Sequence, residues 1–285
     1  VPIIVDPTFT PPAGPTTVVS PDGYLTATLD APWAGVRLVA DFSTLGSDIE
    51  KVAFFRDGQP VRSGDLAWAP GGVAVAYDHE APLGVVSSWS AVAYFRGGDS
   101  PGSTSTPALL VPLPDGGAKL AWLKSVDTPS ASLRVKILEF REAGRDPRAS
   151  LQPVIGSAYP TGTRDTLTGL AATLTVRTDT QAEYDALLAL LDTQWMLLQT
   201  PDWMGIPADL YCMATGPMAA SRLGGHTLGW AQRAWDIPLV QLDRPATVDA
   251  PLLIPGVTWD SVAATYATWD ALTAAVPTWL DLLEA

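Results

Sequence analysis

Gly71-Gly72-Val73-Ala74-Val75-Ala76-Tyr77-Asp78-His79-Glu80-Ala81-Pro82-Leu83-Gly84 is the stretch from which the fold reads outward. Two glycines mark a turn, and Val73 to Tyr77 follow as a short strand. Upstream, Gly23-Tyr24-Leu25-Thr26-Ala27-Thr28-Leu29 and Gly35-Val36-Arg37-Leu38-Val39-Ala40-Asp41-Phe42 alternate with period two, the signature of half-buried strands. Val52-Ala53-Phe54-Phe55-Arg56 runs into Asp57-Gly58, a dipeptide that accepts the positive φ of a type I′ hairpin turn. Downstream, Trp89-Ser90-Ala91-Val92-Ala93-Tyr94-Phe95 reads as a strand closed by Gly97-Gly98-Asp99-Ser100-Pro101. Short strands at roughly ten-residue spacing predict a β-sandwich over 16–113.

Composition agrees. Gly 24 and Pro 26 exceed the roughly 12% combined share of an average protein, as turns between short strands require. Hydrophobic residues at 47% supply packed cores. The net charge of −13 argues against a phosphate-binding surface, so no nucleic acid is expected. Its distribution is uneven. Five basic side chains face eleven acidic ones in 1–113, twelve face fourteen in 114–245, and none faces five in 246–285. Apolar runs are too short for a membrane span, and Val1-Pro2-Ile3-Ile4-Val5-Asp6 does not read as a secretion signal. A single Cys212 excludes an internal disulfide framework and a multi-cysteine zinc site. Residues 1–15, with Pro2, Pro7, Pro11, Pro12 and Pro15, read as an extended arm.

Residues 114–245 have a different rhythm. Strands are expected at Ala118–Lys124, Ser132–Phe140, Leu151–Ile155, Leu170–Val176, Trp195–Gln199, Ala208–Ala214 and Thr227–Asp236. One helix, about 180–194, opens on the capping box Thr180-Gln181-Ala182-Glu183, with Tyr184, Leu187, Leu188 and Leu191 at helical spacing behind it. A pair of sheets under one covering helix is the economical arrangement.

Residues 246–285 carry a ten-residue repeat: Thr258-Trp259-Asp260, Thr268-Trp269-Asp270 and Thr278-Trp279-Leu280. Each Thr can cap a helical turn. Trp259, Val262, Tyr266, Trp269, Leu272 and Val276 form one apolar stripe if the helix is continuous, ending before Pro277, with Trp279 and Leu282 in a separate turn. Such a stripe either folds back on the chain or docks on a partner, and the docking reading makes these eight residues the candidate binding site.

Groups for catalysis are sparse. His79 and His226 stand far apart without a nucleophile elbow, and Cys212 reads as a small buried hydrophobe. No phosphate-binding loop, dinucleotide fingerprint or metal-ligand spacing occurs, so no enzyme, cofactor or metal is expected. Asp78 with Glu80 is a candidate carboxylate pair, about 7 Å apart along a strand, a separation that would suit an inverting glycosidase but arises often by chance. Trp33, Trp68 and Trp89 could offer a sugar-stacking platform.

Tyr77-Asp78-His79-Glu80-Ala81-Pro82-Leu83-Gly84 with Ala93-Tyr94-Phe95 resembles the later strands of a fibronectin type III module. Its wording is similar to modules carried by tail proteins of actinobacteriophages, although His79 stands where a Tyr is usual. The middle segment, through Arg233-Ala234-Trp235-Asp236-Ile237-Pro238-Leu239, resembles the β-sandwich or split-barrel fold of phage tail tube, distal tail and hub proteins, and similar Thr-Trp tails occur in minor tail proteins. The resemblance implies a mainly β virion protein, a distal or minor tail protein of a long-tailed phage that is assembled in the host cytoplasm. It also implies a homo-oligomeric ring of three or six copies at the tail tip. Tube, hub or tape-measure proteins, and a host surface glycan, would be its partners in host adsorption. Open strand borders in the central fold would give the ring its contacts. The alternative is a carbohydrate-binding accessory module of a bacterial cell-wall or polysaccharide enzyme.

Overall fold

A computed structural model describes residues 16–46, 48–98, 100, 102–114, 120–153, 155–156, 158–223, 232–247, 262, 266 and 268–276. The extended arm expected over 1–15 lies outside these residues. The protein is mainly β, with strands dominating and two helices among the described residues.

The first unit holds strands β1 (Thr17–Val19), β2 (Leu25–Asp30), β3 (Gly35–Asp41), β4 (Ile49–Arg56), β5 (Gln59–Pro60), β6 (Ala67–Trp68), β7 (Val73–Asp78), β8 (Val86–Ser87), β9 (Trp89–Phe95), β10 (Gly102–Ser105) and β11 (Leu109–Leu110). One sheet runs β1-β2-β3-β7 and the other β10-β9-β4-β5, with β6 also on β4 and a separate β8–β11 pair. The alternation read from sequence is what buries one face of each: Leu25 and Ala27, Val36, Leu38 and Ala40, Val52 and Phe54, and Trp89, Ala91 and Ala93 fill a single core. Asp57 and Gly58 both take positive φ between β4 and β5, as the hairpin dipeptide requires. Gly35 is a packing necessity. A Cβ there would lie 2.3 Å from the Tyr77 hydroxyl, which donates to Asp30 Oδ2 at 2.9 Å.

The second unit holds β12 (Leu120–Ser125), β13 (Leu133–Gly144), β14 (Pro147–Gln152), β15 (Thr161–Leu167), β16 (Ala171–Thr178), helix α1 (Gln181–Leu191), β17 (Met196–Gln199), β18 (Leu210–Ala214), β19 (Ala219–Arg222) and β20 (Arg233–Gln241). A short helix, α2 (Trp269–Ala275), follows. The sheet order β16-β13-β12-β17-β18-β20 closes because β20 also pairs along the whole of β16, from Ala171 against Val240 to Thr178 against Arg233. The expected pair of sheets is therefore one sheet closed on itself. Closure removes edges, so the open borders expected throughout the central fold are confined to β19, the outer half of β13 and the β14–β15 ribbon. Ala121, Leu123, Val135, Ile137, Leu174, Val176, Met196, Leu198, Cys212, Ile237 and Leu239 point inward, and α1 adds Leu187, Leu190 and Leu191 to the same core.

Two local details explain how the sequence permits this. Thr180 Oγ1 accepts from the Glu183 amide at 3.1 Å, while the Glu183 carboxylate reaches one residue further back than a standard box, to the Asp179 amide at 2.6 Å. Pro238 lies mid-strand in β20, where a missing amide would ordinarily break a ladder. Its carbonyl faces the gap between β18 and β19, accepting from Thr215 N at 3.0 Å, and the amide side of a strand residue points the same way as its carbonyl. The lost donor thus falls where the neighbouring strand changes. Of the strand expected at Thr227–Asp236, residues 227–231 lie outside the described residues, and the described strand Arg233–Gln241 runs beyond its expected end.

Gly35→Ala must displace the Tyr77 ring and is expected to cost on the order of 1–3 kcal/mol, read as a lower urea midpoint with an unchanged slope.

Candidate functional site

Strand β12 joins the two units by pointing both ways. Ala121 and Leu123 belong to the barrel core, whereas Trp122 belongs to the core of the sandwich. Lys124, fully buried, sends Nζ across to Ala34 O at 2.8 Å and His79 O at 2.7 Å. Around this crossing the segment that follows β7 also meets the barrel through polar groups. Gln199 Nε2 donates to Ala81 O at 3.0 Å and to Asp209 Oδ1 at 2.6 Å. His79 Nε2 is paired with Ser132 Oγ at 2.9 Å, and Ser132 Oγ accepts from the Ser125 amide at 3.2 Å.

The two carboxylates of this segment are saturated. Asp78 accepts both contacts of Arg56 Nη1 at 2.7 and 2.8 Å, the Trp89 indole N–H at 2.9 Å and the Glu80 amide at 3.2 Å. Glu80 takes Arg62 on Oε1, at 2.8 Å from Nε, and Arg244 on Oε2, at 2.9 Å from Nε. Arg62 also donates to Pro245 O at 2.9 Å, so the chain leaving β20 is tied down beside it. Asp78 and Glu80 are 1% and 2% exposed. No lone pair of either is directed at solvent, so the arrangement clamps two units together and offers a substrate no approach to the pair.

Burial governs the titration of the inner groups. It pulls the Lys124 ammonium down to about 7 despite the opposing pull of Asp78, Asp209 and Glu80. It lowers His79 well below its usual range, helped by the Lys124 charge and opposed by the Ser125 backbone. Asp209 is raised by burial, and the Cys212 thiol is pushed up to about 12 by burial, which leaves it inert at neutral pH.

The stripe expected along the C-terminal segment is only partly assembled. Val262 and Leu272 are buried together, with Tyr266 and Val276 packed against them. Trp269 is 63% exposed. A helix continuous through this segment is excluded at Thr268, which is extended, at φ −145, and whose Oγ1 caps α2 by accepting from Ala271 N at 3.2 Å. Val276 ends α2, one residue before Pro277. Trp259, Trp279 and Leu282 lie outside the described residues, as does His226. The three tryptophans of the first unit do not share a face: Trp89 is fully buried on Asp78, while Trp68 is 62% exposed on β6.

One feature was not anticipated. β14 and β15 pair only with each other, and every residue of both is exposed. They extend the β13–β16 hairpin beyond the barrel, hinged where Asp146 N meets Thr168 Oγ1 and Arg145 meets Gln241 Oε1. Six residues at about 3.3 Å each carry the ribbon roughly 20 Å outward. Leu151 is 70% and Ile155 104% exposed. The Thr-rich alternation of Thr161-Gly162-Thr163-Arg164-Asp165-Thr166-Leu167 was the available signal for β15. Among the described residues no group of His, Cys, Asp and Glu could hold a metal ion, and no helix is long and apolar enough to cross a membrane.

No protein-family model matches the chain, and no curated protein matches it either.

Glu80→Gln leaves Arg62 buried without its counter-charge and is expected to cost about 3–5 kcal/mol, measured by chemical denaturation. Lys136→Ala, at the half-exposed pair with Asp179, is expected to cost less than about 1 kcal/mol.

Proposed function

We propose that the protein is a structural component of a phage tail, a distal or minor tail protein that assembles with copies of itself and positions host-adsorption parts. The observation that carries this reading is the bare β14–β15 ribbon. A two-stranded hairpin is marginal alone in water, and this one presents Leu151 and Ile155 to solvent with strand edges on both sides. Burying each side chain against another molecule is worth about 1.5–3 kcal/mol. The ribbon bears Arg145, Arg148 and Arg164 against Asp146 and Asp165, in a chain whose net charge is −13. A second copy therefore offers it an oppositely charged surface.

The sheet orders β1-β2-β3-β7 and β10-β9-β4-β5 support the fibronectin type III resemblance of the first unit, and the closed sheet with one helix supports the tail-protein resemblance of the second. In this reading the sandwich is a module carried outward, the barrel and its ribbon form a ring of three or six copies, and the acidic C-terminal segment meets other tail proteins. The exposed indole of Trp68 favours the alternative, a carbohydrate-binding module, and glycan-array binding abolished by Trp68→Ala in a chain that remains monomeric would support that instead.

Sedimentation of the full chain tests the assembly. The expected result is a discrete trimer or hexamer that Leu151→Ser with Ile155→Ser converts to a monomer that still unfolds cooperatively. A chain that stays monomeric at every concentration would overturn the reading.

A further inference from the structure

We propose that the contact between the sandwich and the barrel is a proton-operated clasp, in which acid charges His79 beside Lys124 and frees the two units from each other. His79 is 1% exposed and lies between the units, its ring stacked on Tyr77 with centroids 6.0 Å apart. Nε2 is engaged with Ser132 Oγ of the barrel, while Nδ1 has no hydrogen-bond partner among the described residues. Its own carbonyl holds the Lys124 ammonium at 2.7 Å. A proton on this ring would therefore be a second cation in a sealed site, opposed by burial and the Lys124 charge and favoured by the Ser125 backbone.

The neighbouring carboxylates do not offset that cation. Asp78 is committed to Arg56 and Trp89, and Glu80 to Arg62 and Arg244. Asp209, the third acid near Lys124, accepts from Gln199. The site thus already balances Arg56, Arg62, Arg244 and Lys124 against three acids.

The signs of linkage agree. His79 is depressed in the closed state, so its contribution is full above the free-imidazole value of 6.5 and is lost as pH falls below it. Lys124, lowered from 10.5 to about 7, contributes most above 10.5 and loses that contribution as pH falls toward 7. Asp209, raised by burial, acts in the opposite direction. Loosening therefore begins in the alkaline range through Lys124 and is carried on below pH 6.5 by His79. Cys212 in the barrel core keeps its thiol neutral over this range.

Hydrogen exchange of the full chain, with rates corrected for their intrinsic pH dependence, reads the clasp at 79–81, which follow the last paired residue of β7. The expected opening constant rises about tenfold per pH unit below pH 6.5, the slope of one coupled proton, while amides of β16 stay protected. His79→Gln is expected to flatten that slope, and Lys124→Met to reduce it by removing the charge that opposes His79 protonation. Wild-type protection at the junction that is unchanged between pH 7.5 and 5 would overturn the proposal. So would loss of β16 protection in parallel, or a His79→Gln variant that keeps the wild-type slope.

Discussion

The buried crossing at Lys124 is the constraint around which the rest is arranged. An ammonium in a dry interior is tolerable only with acceptors placed for it, and here they are main-chain carbonyls of the other unit, Ala34 O and His79 O. Because β12 alternates, the residue that commits Lys124 to the sandwich also commits Leu123 to the barrel. The two units consequently share one strand's worth of register. Shifting β12 by one position would expose a charge to the barrel core and remove Trp122 from the sandwich core in a single step.

Around that point, the ion pairs serve position more than stability. A buried arginine–carboxylate pair gains little over well-packed apolar residues, since desolvation cancels much of the attraction, yet it tolerates few alternative geometries. Glu80 held between Arg62 of the sandwich and Arg244 after β20 fixes how the chain leaves the barrel. Mobility is expected elsewhere: in the ribbon, which has no packed face, and in the small Val262–Leu272 cluster, which forms a core of its own.

Much of the local structure was legible because it is encoded locally. Alternation over 25–29, 35–42 and 89–95 placed strands, and Thr180 with Glu183 placed the helix start within a residue. Closure of the barrel was not legible, since period two tells which face a residue takes and not which strand lies beside it. The clasp was equally hidden. Lys124 reads as a polar strand end, and its partners are carbonyls 90 and 45 residues away that leave no trace in side-chain pattern. The Asp78–Glu80 pair was visible as carboxylates, but the arginines that occupy them come from three separate segments. In the C-terminal segment Val262, Tyr266, Leu272 and Val276 pack together, while Thr268 is extended where a continuous stripe required helix.

The separation of Glu80 from Arg244 is 164 residues. During synthesis from the amino end, the sandwich emerges with Ala34 O, His79 and Glu80 complete but with Lys124 and Arg244 still unmade. Its own strands, and the pairs Arg56–Asp78 and Arg62–Glu80, are close enough in sequence to form at once, whereas Arg244 arrives only after the barrel strands. Long-range contacts of this kind are slow to form, so the nascent module holds Glu80 on Arg62 alone until the chain beyond β20 delivers the second arginine.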